Sequence, residues 1–351
     1  MSGVKPKGEQ RPDQVVDTAA LTAWMDGEGL GSGPIGDMAS LAGGSQNILL
    51  RFARDGRDYV LRRPPLHPRA NSNETMRREA RVLGALAETS VPHAGLIAAC
   101  GDESVLGVAF YLMEPVDGFN PVGDLPQPHA GSAAMRHAMG LALVDAVAAL
   151  GALDHEALGL GDFGKPDNFL DRQVARWSAQ LASYADLPGW PGPDALPDVE
   201  RVGRWLENHK PARFAPGIMH GDYHLANVMF RHDGPDVAAI IDWELATIGD
   251  PLLDLGWVLA TWPEPGATVT VPVRPWEGFP AASELVERYA AGSARDMAAI
   301  DWYHVLACYK LGILLEGTYA RACAGKAPKD VGDRLHARAI ALLDRAARMT
   351  R

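Results

Sequence analysis

The sequence predicts an α+β protein of two lobes: a small antiparallel β-sheet lobe with helices, then a larger, mainly helical lobe. Three observations predict it. First, β-prone runs crowd the opening third of the chain. NILLRFA and DYVLRRP (47–53 and 58–64) flank Asp55-Gly56, a tight-turn signal, and VLGVAFYLMEP follows at 105–115. Second, residues 119–131 are rich in Pro, Gly and Asp and read as a hinge. Third, apolar residues beyond the hinge recur at helical spacing almost to the C-terminus. A length of 351 residues suits about two domains or one large two-lobed one. The expected divisions are a flexible tail at 1–15, a first lobe at 16–115 and a helical second lobe at 116–351.

Each element has a local reason. Asp17 or Thr18 caps a helix through Trp24 and Met25, which the glycines at 27 and 29 stop. Pro64 and Pro65 end the second strand of the hairpin. A helix is expected over about 73–87, with Met76, Ala80, Leu83 and Ala87 on one face, and Pro92 keeps it from continuing. Ser132 is placed to cap a helix to about Leu153. LDRQVARWSAQLASY, VERVGRWLENH, DWYHVLACYKLGILLEGTYARA and VGDRLHARAIALLDRAARM carry the same periodicity. VAAIIDW has a buried-strand pattern ending at Asp242, after the turn sequence RHDGPD.

Composition narrows the function classes. Hydrophobic residues make up 47%, enough for a sizeable core. A formal charge of −11 and a pI near 5.5 argue against nucleic-acid binding by overall field, and fit a cationic substrate among much else. Cys100, Cys308 and Cys323 are scattered and read as reduced packing thiols. The polar N-terminus does not resemble a signal peptide, and MGLALVDAVAALGAL, about 15 residues with Asp145 inside it, is short of a bilayer span of ~18–20 residues. The expectation is a soluble, cytoplasmic protein with no nucleic-acid or membrane partner. Oligomeric state is not legible.

MHGDYHLANVMF, residues 219–230, holds the densest chemistry. His220, Asp222, His224 and Asn227 within eight positions suit metal ligation, a phosphoryl-transfer loop or a polar turn. Asp222 and Asn227 fit H-x-D-x-x-x-x-N. That spacing suits a loop in which a carboxylate faces a substrate hydroxyl and an amide oxygen faces a cation. Asp242, at the end of the next strand, is placed to grip the same cation. Mg²⁺ favours one or two carboxylates, with phosphate oxygens completing its shell.

H-G-D-Y-H-L-A-N followed by I-I-D-W-E resembles the aminoglycoside phosphotransferase and choline kinase group, relatives of the protein kinases. The context IIDWELATIGDPLLDLGWVLATW, with YVLRRPP and FYLMEPVDG, is similar to phosphotransferases related to the kinase-like domains fused to acyl-CoA dehydrogenases. The resemblance covers about 40–330 and implies a protein-kinase-like two-lobe fold, the first lobe binding nucleotide. It implies ATP and Mg²⁺ as cofactors and a small-molecule hydroxyl as acceptor. On it, Asp222 takes the hydroxyl proton, Asn227 and Asp242 bind Mg²⁺, and His224 touches the γ-phosphate. His220 buttresses the loop, Glu244 stabilises it, and Asp254 holds its backbone. Arg62 stands where protein kinases place a lysine, with Glu79 as its helix carboxylate; strand alternation turns Arg63 away. AGGSQN (42–47) is the turn over the phosphates, with Ser45 as donor. Glu114 and Val116 meet the adenine through their backbone. A literal D-F-G at 162–164 precedes the loop, where a metal aspartate must come after it, so Asp162 is not assigned to metal.

Two other readings stand beside this one. One is a metal-dependent hydrolase with His220, Asp222, His224 and Asp242 as ligands. The other is a nucleotide-binding protein without turnover. For the acceptor, segments 257–265 and 302–321 offer Glu264 and Glu316 among Trp257, Trp262, Trp302, Tyr303 and Tyr319. That largely apolar lining favours a hydroxylated metabolite, of hydroxyacyl type by family analogy, over a polycation. The tryptophans at 177, 190, 257 and 262 read as packing.

Overall fold

A computed structural model describes residues 15–41, 47–264 and 270–350. The chain divides into two compact units. One takes the residues up to Asp117 together with Ile241–Glu244; the other takes Gly118–Ile240 and Leu245 onward.

The first unit contains α1 (Thr18–Gly27), β1 (Ala39–Ser40), β2 (Ile48–Arg54), β3 (Arg57–Arg63), α2 (Ser72–Leu86), β4 (Leu96–Cys100), α3 (Glu103–Leu106) and β5 (Phe110–Met113). Its five strands form one antiparallel sheet in the order β1-β2-β3-β5-β4. The Asp17 carboxylate caps α1 by accepting from the Ala19 and Ala20 amides, each at 3.0 Å. Asp55 and Gly56 both take positive φ (52° and 76°), so β2 and β3 join through a two-residue turn that matches strand twist. Alternation divides the sheet. Leu50, Phe52, Tyr59, Leu61, Phe110 and Leu112 share a core with Leu21 and Met25 of α1. Arg62 and Tyr111, cross-strand partners, lie in the opposite phase and meet Glu79 of α2. Arg63 falls in the other phase and bonds the Val15 carbonyl.

The 105–118 run is less of a strand than expected: only Phe110–Met113 pairs. Asp102 accepts from the Ser104 amide at 2.9 Å and starts a helical turn, which Gly107 ends at φ 74°. Strand β4 carries no strong sequence signal.

The second unit contains β6 (Gly123–Asp124), α4 (Ala133–Ala152), α5 (Asp171–Ala182), α6 (Val199–Asn208), β7 (Gly217–Met219), β8 (Val228–Phe230), β9 (Val237–Ile240), β10 (Thr247–Gly249), α7 (Leu252–Thr261), β11 (Val273–Arg274), α8 (Ala282–Gly292), α9 (Ile300–Cys323) and α10 (Lys329–Met349). Helices dominate, and short ladders β7–β10 and β8–β9 bracket the 220–227 loop. Ser132 caps α4, its hydroxyl accepting from the Met135 amide at 3.1 Å. At 20 residues and a mean hydropathy of 1.4, α4 is long and apolar enough to cross a membrane, contrary to the 15-residue expectation. Half of it is buried against the rest of its unit, as a core helix requires, and Asp145 on it pairs with Arg288 of α8 at 2.7 Å. Helix α7 is buried along its whole length. Strand β9 stops at Ile240, two residues short of the expected end at Asp242.

Candidate active site

In the second unit, the 220–227 loop is held from beneath by Asp254 in the first turn of α7. Its carboxylate accepts from the His220 amide at 2.6 Å and the Gly221 amide at 2.9 Å. Both groups are buried, so an acceptor here satisfies amides that would otherwise cost about 1–3 kcal/mol each. Burial pushes the Asp254 carboxyl up to about 6, against the pull of those amides and Lys310. Gly221 has φ 85°, and a Cβ there would stand 2.4 Å from the Leu245 carbonyl oxygen. Gly221→Ala is therefore expected to lower stability by about 2 kcal/mol, read as a fall in the urea midpoint at unchanged slope.

Asp222 is the most heavily held carboxylate of the loop. Its Oδ1 accepts from the Trp257 indole N–H at 2.7 Å and lies 3.3 Å from His224 Nε2. Its Oδ2 accepts from Asn227 Nδ2 at 3.0 Å, and the same amide nitrogen donates to the Asp222 carbonyl at 2.8 Å. Asn227 thus spends its NH₂ on Asp222. His224 Nδ1 accepts from the Ala226 amide at 3.1 Å, which makes Nε2 the proton-bearing nitrogen of its neutral ring. His220 is fully buried, its Nδ1 accepting from the Asp222 amide at 3.4 Å. Burial alone would raise the Asp222 carboxyl. Hydrogen bonding and charge from His224, then His220 and Lys310, outweigh it and hold the group below its ordinary range. Asp222 is an ionised carboxylate at neutral pH.

In the first unit, Arg62 Nε stands 2.9 Å from Glu79 Oε2, and Nη2 lies 3.3 Å from Glu79 Oε1 and 2.7 Å from Asp242 Oδ1. Tyr111 donates to Glu79 Oε2 at 2.9 Å. Burial pulls the Arg62 guanidinium down; Glu79, then Tyr111 and Asp242, more than offset it and hold it above its ordinary range. Burial pushes the Glu79 carboxyl up, against Arg62 and Tyr111. Asp242 has φ 66°, a left-handed conformation uncommon outside glycine, which marks a site where backbone geometry is imposed. The Glu114 amide donates to the Gly95 carbonyl at 2.8 Å. The Glu114 side chain pairs with Arg57 at 3.1 Å, and Val116 is half-buried. Ser45, with Gly43 and Gly44, lies outside the described residues.

Two contributors escape a reading of the sequence. Trp257, expected to be packing, donates to Asp222. Lys310 on α9 bonds the Gly221 carbonyl at 3.1 Å, with its nitrogen 4.3 Å from the Trp257 ring centroid and 5.4 Å from that of Trp177. The available signal is a lone lysine inside the apolar run YHVLACYKLGILL. Expectations for the acceptor lining need correction. Glu316 is fully buried and accepts from Trp190 and His336, each at 2.7 Å; Glu264 pairs with Arg345 and Arg348. Trp302 and Tyr303 are core residues. Among the described residues no three His, Cys, Asp or Glu side chains converge to hold a metal, which removes support from the four-ligand hydrolase reading.

The profile of the phosphotransferase enzyme family matches residues 38–303. A solved structure from Ralstonia eutropha, provisionally assigned as an aminoglycoside phosphotransferase, is 32% identical with a TM-score of 0.78, covering 95% of this chain and 99% of that one. Macrolide 2'-phosphotransferase from Brachybacterium faecium shares the fold at 18% identity and a TM-score of 0.58, over 92% of this chain and 97% of that one. Curated relatives include acyl-CoA dehydrogenase family member 11 of Homo sapiens, 29% identical over 92% of this chain and 42% of the relative. Member 10 of Mus musculus is 27% identical over 93% of this chain and 30% of the relative. The chain thus spans about a third to two fifths of the curated relatives it matches. With an antiparallel five-stranded sheet, a helical second unit and a family match over most of its length, the chain belongs to the phosphotransferase enzyme family and has its kinase-like α+β fold.

Proposed function

We propose that the chain transfers the γ-phosphate of ATP to a hydroxyl of a small molecule, with Mg²⁺ as the required cation. The observation that carries this reading is Asp222: a carboxylate kept ionised and fixed by donors on both oxygens, five residues before an asparagine whose NH₂ is bonded to it. The oxygen-only donor set fits magnesium, with Asn227 and Asp242 as its protein ligands. Bound there, Mg²⁺ would neutralise charge on the β- and γ-phosphate oxygens. Asp222 orients the acceptor hydroxyl and takes its proton as the new O–P bond forms and the electron pair of the broken bond leaves with ADP. Arg62 Nη2 bonds both Glu79 and Asp242, and Nε faces Glu79 at 2.9 Å without a hydrogen bond, so Nη1 is the edge offered to phosphate. His224, hydrogen-bonded to Asp222, orients that carboxylate, and contact with the γ-phosphate is its second role. The carbonyl of Glu114 and the amide of Val116 take the adenine.

For the acceptor, Glu264 is already ion-paired and Glu316, the other carboxylate expected at its pocket, already hydrogen-bonded, which supports a hydroxylated metabolite of low positive charge over a polycation. The dehydrogenase-linked relatives support a hydroxyacyl class. Solved structures of the same fold are complexes with GDP and kanamycin and with ADP and hygromycin B, so nucleotide choice is part of the test.

Labelled ATP offered with a panel of hydroxylated acceptors tests the transfer. Binding is tested by melting. At a hundredfold excess over its dissociation constant, ATP with Mg²⁺ is expected to stabilise the fold by about 2.7 kcal/mol, with much less from either alone. Stabilisation by Zn²⁺ or Mn²⁺ without nucleotide would favour the hydrolase reading instead.

A further inference from the structure

A cation buried behind the proposed base has no part in the mechanism above. Lys310 sits on α9 among Trp177, Trp257 and the Gly221 carbonyl, and Trp257 in turn donates its only polar hydrogen to Asp222 Oδ1. A carboxylate offers about four lone-pair positions, two on each oxygen. Among the described contacts, Oδ1 meets two donors, Trp257 Nε1 and His224 Nε2, whereas Oδ2 meets one, Asn227 Nδ2. We infer that Lys310 and Trp257 are positioning residues for Asp222: the ammonium, seated on the Gly221 carbonyl, fixes the indole so that its N–H fills Oδ1 and leaves Oδ2 to take the acceptor proton. This rests on the phosphotransferase reading.

A cation over an indole face is attracted by the ring quadrupole, more strongly when water is excluded, and Lys310 is buried. The contact fixes the ring plane, and with it the direction of the Nε1–H bond. The charged groups facing Lys310 are Asp222 from the loop, Asp254 from α7 and Arg176 from α5. Burial brings the Lys310 ammonium down to about 8, with the two carboxylates opposing and Arg176 adding, so the clamp loosens as pH rises through 8. A lysine kept only to fill space would not be coupled to the Trp257 N–H in this way.

The test uses the full chain, ¹⁵N-labelled at tryptophan, and the variants Trp257→Phe, Lys310→Met and Lys310→Arg. Trp257→Phe identifies the Trp257 indole resonance by its loss. That resonance is expected to step near pH 8 in the wild type, to shift and lose the step in Lys310→Met, and to stay near its low-pH position in Lys310→Arg. In transfer assays, Trp257→Phe and Lys310→Met are expected to lower kcat roughly tenfold or more with KM for ATP within about twofold, and Lys310→Arg to restore much of the loss. Should Lys310→Met fail to fold, Trp257→Phe and Lys310→Arg decide the matter. Unchanged kcat in Trp257→Phe, or an indole resonance without the step in the wild type, overturns the proposal. A wild-type chain that binds ATP but transfers to no acceptor overturns the phosphotransferase reading instead, and the indole resonance still decides whether Lys310 sets Trp257.

Discussion

Asp222→Asn is expected to lower turnover by about 10²–10⁴-fold while leaving the ATP dissociation constant within a few-fold of wild type. Charge and proton capacity are what the substitution removes. The asparagine keeps the volume of the side chain and still offers an oxygen to Trp257 Nε1, but it cannot accept a proton, and its NH₂ faces the Asn227 donor. The stability cost is about 1 kcal/mol, that of one hydrogen bond lost. Nucleotide affinity is expected to persist because Arg62, Glu79 and the Glu114 backbone belong to the other unit. The check is a transfer assay beside a calorimetric titration with ATP and Mg²⁺. Transfer at wild-type rate in the variant would show that Asp222 is not the base. Wild-type binding without any transfer would favour a nucleotide-binding protein without turnover. The pH dependence has a definite sign. Against burial, hydrogen bonding and charge from His224 hold the Asp222 carboxyl below its ordinary range, so it stays ionised through the neutral range. Loss of the base on the acid side should therefore appear at lower pH than for an ordinary aspartate.

How much is legible in the sequence depends on the range of each signal. The β2–β3 hairpin, α1 and α4 are readable because their determinants are local: Asp55-Gly56 in the turn, Asp17 and Ser132 at the caps. The Arg62–Glu79 pairing is legible through the family resemblance, which sets a cation and a helix carboxylate at these positions, and strand alternation separates Arg62 from Arg63. Residues 105 and 106, where strand is expected, end a helical turn from 103 because a cap at Asp102 outweighs β propensity that only pairing could have satisfied. Trp257 and Lys310 are out of reach for another reason. Both sit in helices whose apolar composition says only that they are buried. Which buried face meets Asp222 is decided by the packing of α7 and α9, a tertiary fact that no spacing encodes. The same blindness puts Glu316 at an acceptor pocket. A glutamate in an apolar helix has to find partners, and only the fold brings Trp190 and His336 to it.

Glu79→Ala is expected to cost about 3–5 kcal/mol of stability, the range for removing one partner of a buried ion pair. Glu79 is 1% exposed and Arg62 7%, so the guanidinium left behind has little access to water. Tyr111 loses its hydroxyl's acceptor as well. Glu79→Gln keeps the volume and an acceptor for Tyr111 while removing the charge, and should cost about half as much. Urea unfolding at neutral pH measures both. A second consequence concerns function. With Glu79 gone, the remaining described partner of Arg62 is Asp242, whose carboxylate the proposed mechanism reserves for magnesium. Arg62, already 2.7 Å from Asp242, would then have no other described carboxylate to share its charge, and Mg²⁺-dependent ATP binding should weaken more than binding of ATP without the metal. Loss of stability with an unchanged magnesium dependence would mean that Glu79 merely fills the space behind Arg62. Loss of both would mean that Glu79 takes a share of the arginine's charge that would otherwise fall on Asp242 alone.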